Sequence, residues 1–218
     1  TLNSLNLSNN RISEILSLIP KEKVTGFPIV PAIVAMIFKF ANLDKFDLSS
    51  LRYMTNTGAA FPVEHILKIR ELLPHVQIYS MFGLTECKRI AYLHPDEIDK
   101  RPSSVGKAMP NCEVFVINEK GEFVSPGEPG ELVVRGSNVM KGYWNLPQET
   151  EQSFYGEWFR TGDLGYEDDD GYFYIVDRKK DMIIVNGMNV YPRIIEDVLY
   201  KFKPLAEVAV IGEPHKLH

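Results

Sequence analysis

The chain has 218 residues, 24 Lys+Arg against 29 Asp+Glu, and a net charge of −5. With 44% apolar and 24% charged residues it has the proportions of a soluble globular protein, which excludes a disordered chain, and its acidic balance leaves no general electrostatic footprint for nucleic acid. Its two cysteines, Cys87 and Cys112, cannot make a disulfide framework, so a reducing, cytoplasmic setting is the expectation.

The first residues, Leu2-Asn-Ser-Leu-Asn-Leu-Ser-Asn-Asn-Arg-Ile, match one leucine-rich repeat; a solenoid needs about three, so the match is read as coincidence. Asn6-Leu-Ser is a glycosylation sequon, which carries meaning only if the protein is secreted. Thr1 opens without a start Met, and no basic stretch followed by an apolar one marks a signal peptide, so this end is expected to be a cut one. The longest apolar run, Ile29 to Phe38, contains Pro31 and is about half the length that spans a bilayer, so no transmembrane segment is expected.

Residues 1–100 alternate β-rich runs with amphipathic ones. Val63 to Leu73 places Ile66, Leu67, Ile69, Leu72 and Leu73 at helical spacing behind Pro62, and Val76-Gln-Ile-Tyr-Ser follows as a short buried strand. Such alternation predicts α/β layering around a mostly parallel sheet. Over residues 101–176 the pattern changes to short strands, Val114-Phe-Val-Ile, Glu131-Leu-Val-Val-Arg and Tyr172-Phe-Tyr-Ile-Val. They are separated by Glu119-Lys-Gly, Ser125-Pro-Gly-Glu-Pro-Gly and Asp168-Asp-Asp-Gly, which carry turn chemistry. Pro147 to Phe154 is the one helical candidate there, and the whole reads as a distorted antiparallel β-barrel.

Residues 177–181, Asp-Arg-Lys-Lys-Asp, turn sharply charged and read as a hinge between folding units. Residues 182–218 then open a further small α+β domain. Met182-Ile-Ile-Val, the turn Asn186-Gly187 and Asn189-Val-Tyr predict a hairpin. Pro192 to Phe202 predicts a helix with Ile194, Ile195, Val198 and Leu199 on one face. Glu207-Val-Ala-Val-Ile-Gly-Glu reads as a strand leading nowhere before His218, so the chain is expected to be a piece of a larger protein.

Several familiar sites are missing from the sequence: the phosphate-binding G-x-x-x-x-G-K-[ST] loop, G-x-G-x-x-G, H-E-x-x-H and C-x-x-C. The five histidines are scattered, which argues against zinc. The acidic run at 167–170 has Tyr166 where the first calcium ligand of an EF-hand would stand. Four segments remain. Tyr79-Ser-Met-Phe-Gly-Leu-Thr-Glu86 lies just past a predicted strand, where open α/β sheets bind ligands. Thr85 and Glu86 there could hold a phosphate and its Mg²⁺, or form an ordinary turn. Gly130 to Asn145 places three glycines and a Tyr-Trp pair among strands, and packing alone accounts for it. Trp158-Phe-Arg-Thr-Gly-Asp-Leu164 presents a carboxylate after a glycine turn, able to accept two hydroxyls or to cap backbone N–H groups. In Val176 to Pro192, Arg178 could grip phosphate or ribose oxygens, or the segment could be a solvated linker.

Taken together, Phe82-Gly-Leu-Thr-Glu86, Gly130 to Asn145, Arg160-Thr-Gly-Asp-Leu164 and Asp177-Arg-Lys-Lys-Asp181 stand in the order of the adenylate-forming superfamily. Acyl-CoA synthetases, luciferase-like ligases and adenylation domains belong to it. The resemblance runs from about Val24 to His218, and Asn56-Thr-Gly-Ala-Ala-Phe-Pro62 looks like the family's small-residue nucleotide segment. Val176 to Pro192 looks most like fatty acyl-CoA ligases, as peptide-synthetase adenylation domains usually differ there.

The resemblance implies the back part of the large AMP-binding domain and the start of the small C-terminal one. It implies an enzyme that joins a carboxylic acid, most readily a fatty acid, to a thiol through an acyl-adenylate, with ATP/AMP, Mg²⁺ and coenzyme A. Carried over by position, Glu86 would hold Mg²⁺ and Thr85 the phosphates. Phe82 would stack on adenine, and Gly58, Ala59 and Gly83 would let the backbone approach the nucleotide. Asp163 would accept the ribose hydroxyls, Ile175 would line the nucleotide site and Arg178 would support ribose and phosphate. Lys180 would be the hinge, and Gly187 would line the thiol tunnel.

The family's phosphate loop lies upstream of these motifs and its adenylating lysine beyond the position of His218, so the chain alone is expected to be inactive. Ile184 stands where some luciferase-like relatives carry lysine, a departure from their pattern. Two alternatives stay open. Thr85-Glu-Cys-Lys-Arg89 resembles stand-alone amino-acid-activating ligases, which implies an aminoacyl- or fatty acyl-AMP ligase that loads the phosphopantetheine of an acyl or peptidyl carrier protein, and a truncated relative could bind a nucleotide or a partner without catalysis.

Overall fold

The computed structural model describes residues 9–56, 61–185, 188–199, 202 and 208–213. Their contacts divide the chain into one unit of Thr1–Phe82 with Tyr92–Ser103 and a second of Gly83–Ala91 with Ser104–His218.

In the first unit, helix α1 (Asn9–Glu22) buries Ile12, Leu16 and Ile19, spaced to fall on one stripe. Residues 9–12 of the leucine-rich opening are thus helical. Strand β1 (Gly26–Ile29), helix α2 (Pro31–Phe40), strand β2 (Tyr53–Asn56), helix α3 (Val63–Leu72) and strand β3 (Gln77–Phe82) follow. Pro31 occupies the first turn of α2, where its fixed φ fits and its missing N–H costs nothing. The strands β1, β2 and β3 run parallel in that order, with β4 (Ala91–Leu93) next to β3. Met54 of β2 and Ile78 of β3 pair in register and are buried, while α3 turns Ile66 and Ile69 inward. The expected alternation and parallel sheet are therefore present. At the carboxyl end of the sheet the buried Asn56 side chain accepts the Met81 N–H at 2.6 Å, beyond the last backbone pair.

The second unit holds β5 (Lys107–Ala108), β6 (Cys112–Ile117), β7 (Gly130–Gly136), α4 (Pro147–Gln152), β8 (Phe154–Tyr155), β9 (Trp158–Glu167) and β10 (Phe173–Arg178). Strands β6 to β10 form a curled antiparallel sheet in the order β10-β9-β7-β6, with β8 on β9. Gly106 bridges Phe173 at the start of β10, which closes one corner of the curl. One face is apolar: Val114 and Val116 of β6 stand opposite Val134 and Leu132 of β7, and Phe159 of β9 opposite Val134. The other face carries Phe115, Phe123 and Trp158 in edge-on and tilted contact, with the Arg135 guanidinium over Trp158 at 4.7 Å. Hairpin β11 (Ile183–Val185) and β12 (Met188–Val190) and helix α5 (Pro192–Leu199) complete the unit; the predicted turn Asn186-Gly187 lies outside the described residues.

Two expectations change. The segment Arg160–Leu164 is not a turn but the middle of β9: Gly162 takes a φ of +71°, and four residues of β9 span two of β7. This bulge supplies the bend that the Arg-Thr-Gly-Asp text suggests, and alternation across it keeps Phe159, Thr161 and Asp163 on the buried side. Residues 208–213 make no strand, for none of the described strands pairs with them; the Val210 N–H instead reaches the Glu196 carboxylate at 2.8 Å.

Candidate active site

The loop Gly83–Ala91 leaves β3 and folds into the second unit. It doubles back so tightly that a Cβ on Gly83 would stand 2.5 Å from the Arg89 backbone nitrogen, and the Leu84 N–H reaches the Cys87 carbonyl. Arg89 accepts a left-handed φ of +56° to complete the reversal. Fully buried Cys87 anchors the loop by a bridge to Val139, and the Asn138 amide donates to the Lys88 and Arg89 carbonyls.

Glu86 is gripped twice. Its carbonyl accepts the Met140 N–H at 2.7 Å, and its Oε1 accepts the Tyr143 phenol at 2.8 Å. Oε2 receives no hydrogen bond from a described residue. Burial, then the hydrogen bond to the carboxylate, raises the Tyr143 phenol. Tyr143 is held in turn: its N–H donates to Thr150 Oγ1, whose hydroxyl donates to the Leu146 carbonyl. The Tyr-Trp pair that sequence reasoning assigned to packing therefore divides its roles. Trp144 is 86% exposed, whereas Tyr143 contacts the acidic residue of the Gly-Leu-Thr-Glu loop. Thr85 beside it is exposed and Phe82 half-buried.

Asp163 lies 3% exposed on β9. Its N–H donates to Thr161 Oγ1, itself tied to the Leu132 carbonyl. Its Oδ1 meets Arg178 Nε at 2.8 Å, from the register partner on β10, while Oδ2 is buried with no partner. Burial pushes the Asp163 carboxyl up to about 6, against the attraction of Arg178 and Arg193 and with Glu131 adding to the rise. The structure thus joins two residues that stand 15 positions apart in sequence and leaves one oxygen waiting for a donor. Ile175 stands half-buried opposite Gly165, where β10 and β9 still pair regularly. The register slips by one residue just after it, which turns Asp177 and Arg178 to their present faces.

A third carboxylate was missed. Glu131, 6% exposed on β7, takes Arg160 Nη2 at 2.7 Å and Lys179 Nζ at 2.9 Å on one oxygen. Burial alone would raise its pKa; the two cations override that and leave it below the ordinary value. Asp177, also buried, accepts the Arg178 N–H on Oδ1 and the Arg193 N–H, in the first turn of α5, on Oδ2. Lys180 is exposed and forms no ion pair with a described residue. Gly58, Ala59 and Gly187 lie outside the described residues. The Cys87 thiol is pushed up to about 12 by burial first, then by Cys112, Glu86 and Asp163, so it sits in negative potential from both motif carboxylates. Among the described residues no three His, Cys, Asp or Glu side chains cluster as a metal cage, and the acidic turn at 168–170 spends Asp168 Oδ1 on the Asp170 and Tyr172 N–H groups.

Comparison with known proteins gives the family and the fold. The family model described as AMP-binding enzyme matches residues 6–144. The chain belongs to the AMP-binding enzyme family. A long-chain-fatty-acid–CoA ligase from Bacillus subtilis is 39% identical over 202 residues, 92% of this AMP-binding chain and 36% of the ligase. An indoleacetate–CoA ligase from Aromatoleum aromaticum is 40% identical over 196 residues, 89% of this chain and 38% of that protein. The structure of o-succinylbenzoate coenzyme A synthetase from Bacillus subtilis in complex with ATP and magnesium ion superposes with a TM-score of 0.82 at 33% identity, covering 94% of this chain and 42% of that one. The chain thus spans less than half the length of the relatives it matches, and its fold is that of adenylate-forming enzymes.

Proposed function

We propose that this chain is the nucleotide-holding part of an ATP-dependent, AMP-forming acid–thiol ligase, acting on a fatty or other apolar carboxylic acid with coenzyme A as acceptor. The observation that carries the reading is the buried Asp163: one oxygen held by Arg178, the other without a partner. An unpaired buried carboxylate oxygen is costly unless a ligand supplies the donor, and a ribose hydroxyl does so. The relatives' activities, fatty-acid–CoA and indoleacetate–CoA ligation, support the substrate class.

In this reading Phe82 offers its ring to adenine, Gly83 keeps the backbone close to the nucleotide, and Ile175 packs beside the sugar. Gly58 and Ala59 would let the backbone approach the nucleotide, and Gly187 would line the path of the thiol. Thr85 donates its hydroxyl to phosphate. Arg178 orients Asp163 and adds a positive charge that offsets the anionic phosphates. Lys180 is the pivot about which the chain after residue 181 moves between the two half-reactions, opening the adenylate to the thiol. The residues present fit Mg²⁺ in the manner of nucleotide enzymes, for one carboxylate with an uncommitted oxygen, Glu86 Oε2, is what a cation held chiefly by phosphates and water requires. The ion would supply charge neutralisation at the α-phosphate. The cytoplasm is the compartment that suits two buried, reduced cysteines.

The test is acid-dependent exchange of pyrophosphate into ATP by the protein with its native flanking sequence, followed by thioester formation with coenzyme A. Exchange with fatty or aryl acids and thioester with free coenzyme A are expected. Exchange that responds only to amino acids, or a thioester formed only on a carrier protein, would overturn the assignment.

A further inference from the structure

The Tyr143–Glu86 hydrogen bond, 2.8 Å long, joins two motifs 57 residues apart. Tyr143 belongs to a segment that touches the Gly-Leu-Thr-Glu loop at successive points: Asn138 on the carbonyls of Lys88 and Arg89, Val139 on Cys87, the Met140 N–H on the Glu86 carbonyl, and Tyr143 on the Glu86 carboxylate. The first three contacts fix the loop's backbone. Only the fourth fixes the acidic side chain, which without it would be free to rotate about three bonds in a half-buried setting.

We propose that Tyr143 is a positioning residue for the metal site: its phenol holds one oxygen of Glu86 so that the other is presented, in one orientation, to the Mg²⁺ that accompanies ATP. The proposal rests on the reading of Glu86 as the cation's carboxylate. The phenol donates to an ionised acceptor, the stronger class of hydrogen bond. It leaves Oε2 uncommitted, and a neutral donor does not compete with the cation as a lysine or arginine would. The tyrosine is itself immobilised. Thr150 Oγ1 accepts its N–H, and Gly142 precedes it at a φ of +152° with Thr150 so close that a Cβ there would stand 2.7 Å from that side chain. Gly142 and Thr150 thus fix the backbone that carries the phenol.

The experiment uses the protein with its native flanks and measures ATP affinity by calorimetry with and without Mg²⁺, taking the ratio of the two as the metal's contribution. Tyr143→Phe is expected to lower that ratio about tenfold, the effect of losing a hydrogen bond to a charged group, while ATP affinity without metal and the melting temperature stay close to the parent's. Mn²⁺ bound with ATP, followed by its electron paramagnetic resonance spectrum, should show a broader distribution of environments in the variant. Thr150→Val, which keeps the phenol but removes the acceptor of its N–H, is expected to lower the ratio by less. Glu86→Gln should lower it at least as far as Tyr143→Phe, and adding Tyr143→Phe to it should do nothing more. If Glu86→Gln lowers the ratio and Tyr143→Phe leaves it unchanged, the phenol is merely structural and the proposal is wrong. If Glu86→Gln itself leaves the ratio unchanged, Glu86 does not hold the cation, and the assignment beneath the proposal goes with it.

Discussion

Replacing Asp163 by Asn should stabilise the nucleotide-free protein while abolishing its response to ATP. The carboxyl is buried, and its rise from an ordinary 3.8 to about 6 measures how much folding disfavours the charge, net of the attraction from Arg178 and Arg193. A displacement of about two pH units is worth about 3 kcal/mol at neutral pH. The sign follows from proton counting. Between about pH 4 and pH 6 the folded state keeps the proton and the unfolded state has lost it, so stability falls as pH rises through that window. Asparagine keeps the shape and never ionises. Denaturant titrations of parent and variant at pH 7.5, 6, 5 and 4 are the assay. The variant is expected to be more stable by about 2–3 kcal/mol at pH 7.5 and equal near pH 4. ATP should raise the melting temperature of the parent only, as a ligand that binds the folded state must. A stability difference that stays flat from pH 4 to pH 7.5, or that favours the parent at pH 7.5, would refute the reasoning that burial of this charge outweighs its attraction to Arg178 and Arg193.

Glu131→Gln should act in the opposite sense, costing about 2–4 kcal/mol at neutral pH because Arg160 and Lys179 lose the charge they share. Since this carboxyl titrates below its ordinary value in the folded state, its contribution is present above about pH 4.5 and lost as pH falls, so the variant should also flatten the acid limb of a stability–pH curve. Cys87 should resist iodoacetamide at pH 8 in the native protein and react once unfolded, its thiol being buried and pushed up to about 12; labelling and mass spectrometry read this directly. Gly83→Ala should unfold the loop it opens and cost more than about 2 kcal/mol, whereas Gly127→Ala, in open space at a φ of +85°, should cost only about 1 kcal/mol in the same thermal assay.

Motifs were legible where the chemistry is local. Asp163 and Arg178 could be picked out because each stands in a short charged text among apolar strands, and the sheet then supplies their contact as a register pair. The strands Cys112–Ile117 and Gly130–Gly136 and the helix Val63–Leu72 follow their hydrophobic periods within a residue or two. What the sequence hid was of two kinds. Helix α2 has an apolar run too continuous for any period to show, since Pro31 to Phe38 is nearly all hydrophobic. Glu131, Lys179 and Tyr143 were invisible because their partners lie 48 and 57 residues away. A glutamate in the middle of a Val-rich strand was a signal, however: a charge in such a place demands a buried partner. The bulge at Gly162 was mistaken for a turn because a glycine with positive φ serves both.

Asp177, Arg178 and Lys179 are consecutive, yet each holds a different element: the first turn of α5, the carboxylate of β9 and the carboxylate of β7. The next residue, Lys180, is exposed and unengaged by any described partner. Three adjacent tryptic cleavage points are therefore unequal in the native state, for a protease must draw out several residues around the bond it cuts. Nicking at this triplet reports how often Arg178 and Lys179 let go together. A brief trypsin digest, with and without a nucleotide, would turn that release into a band on a gel.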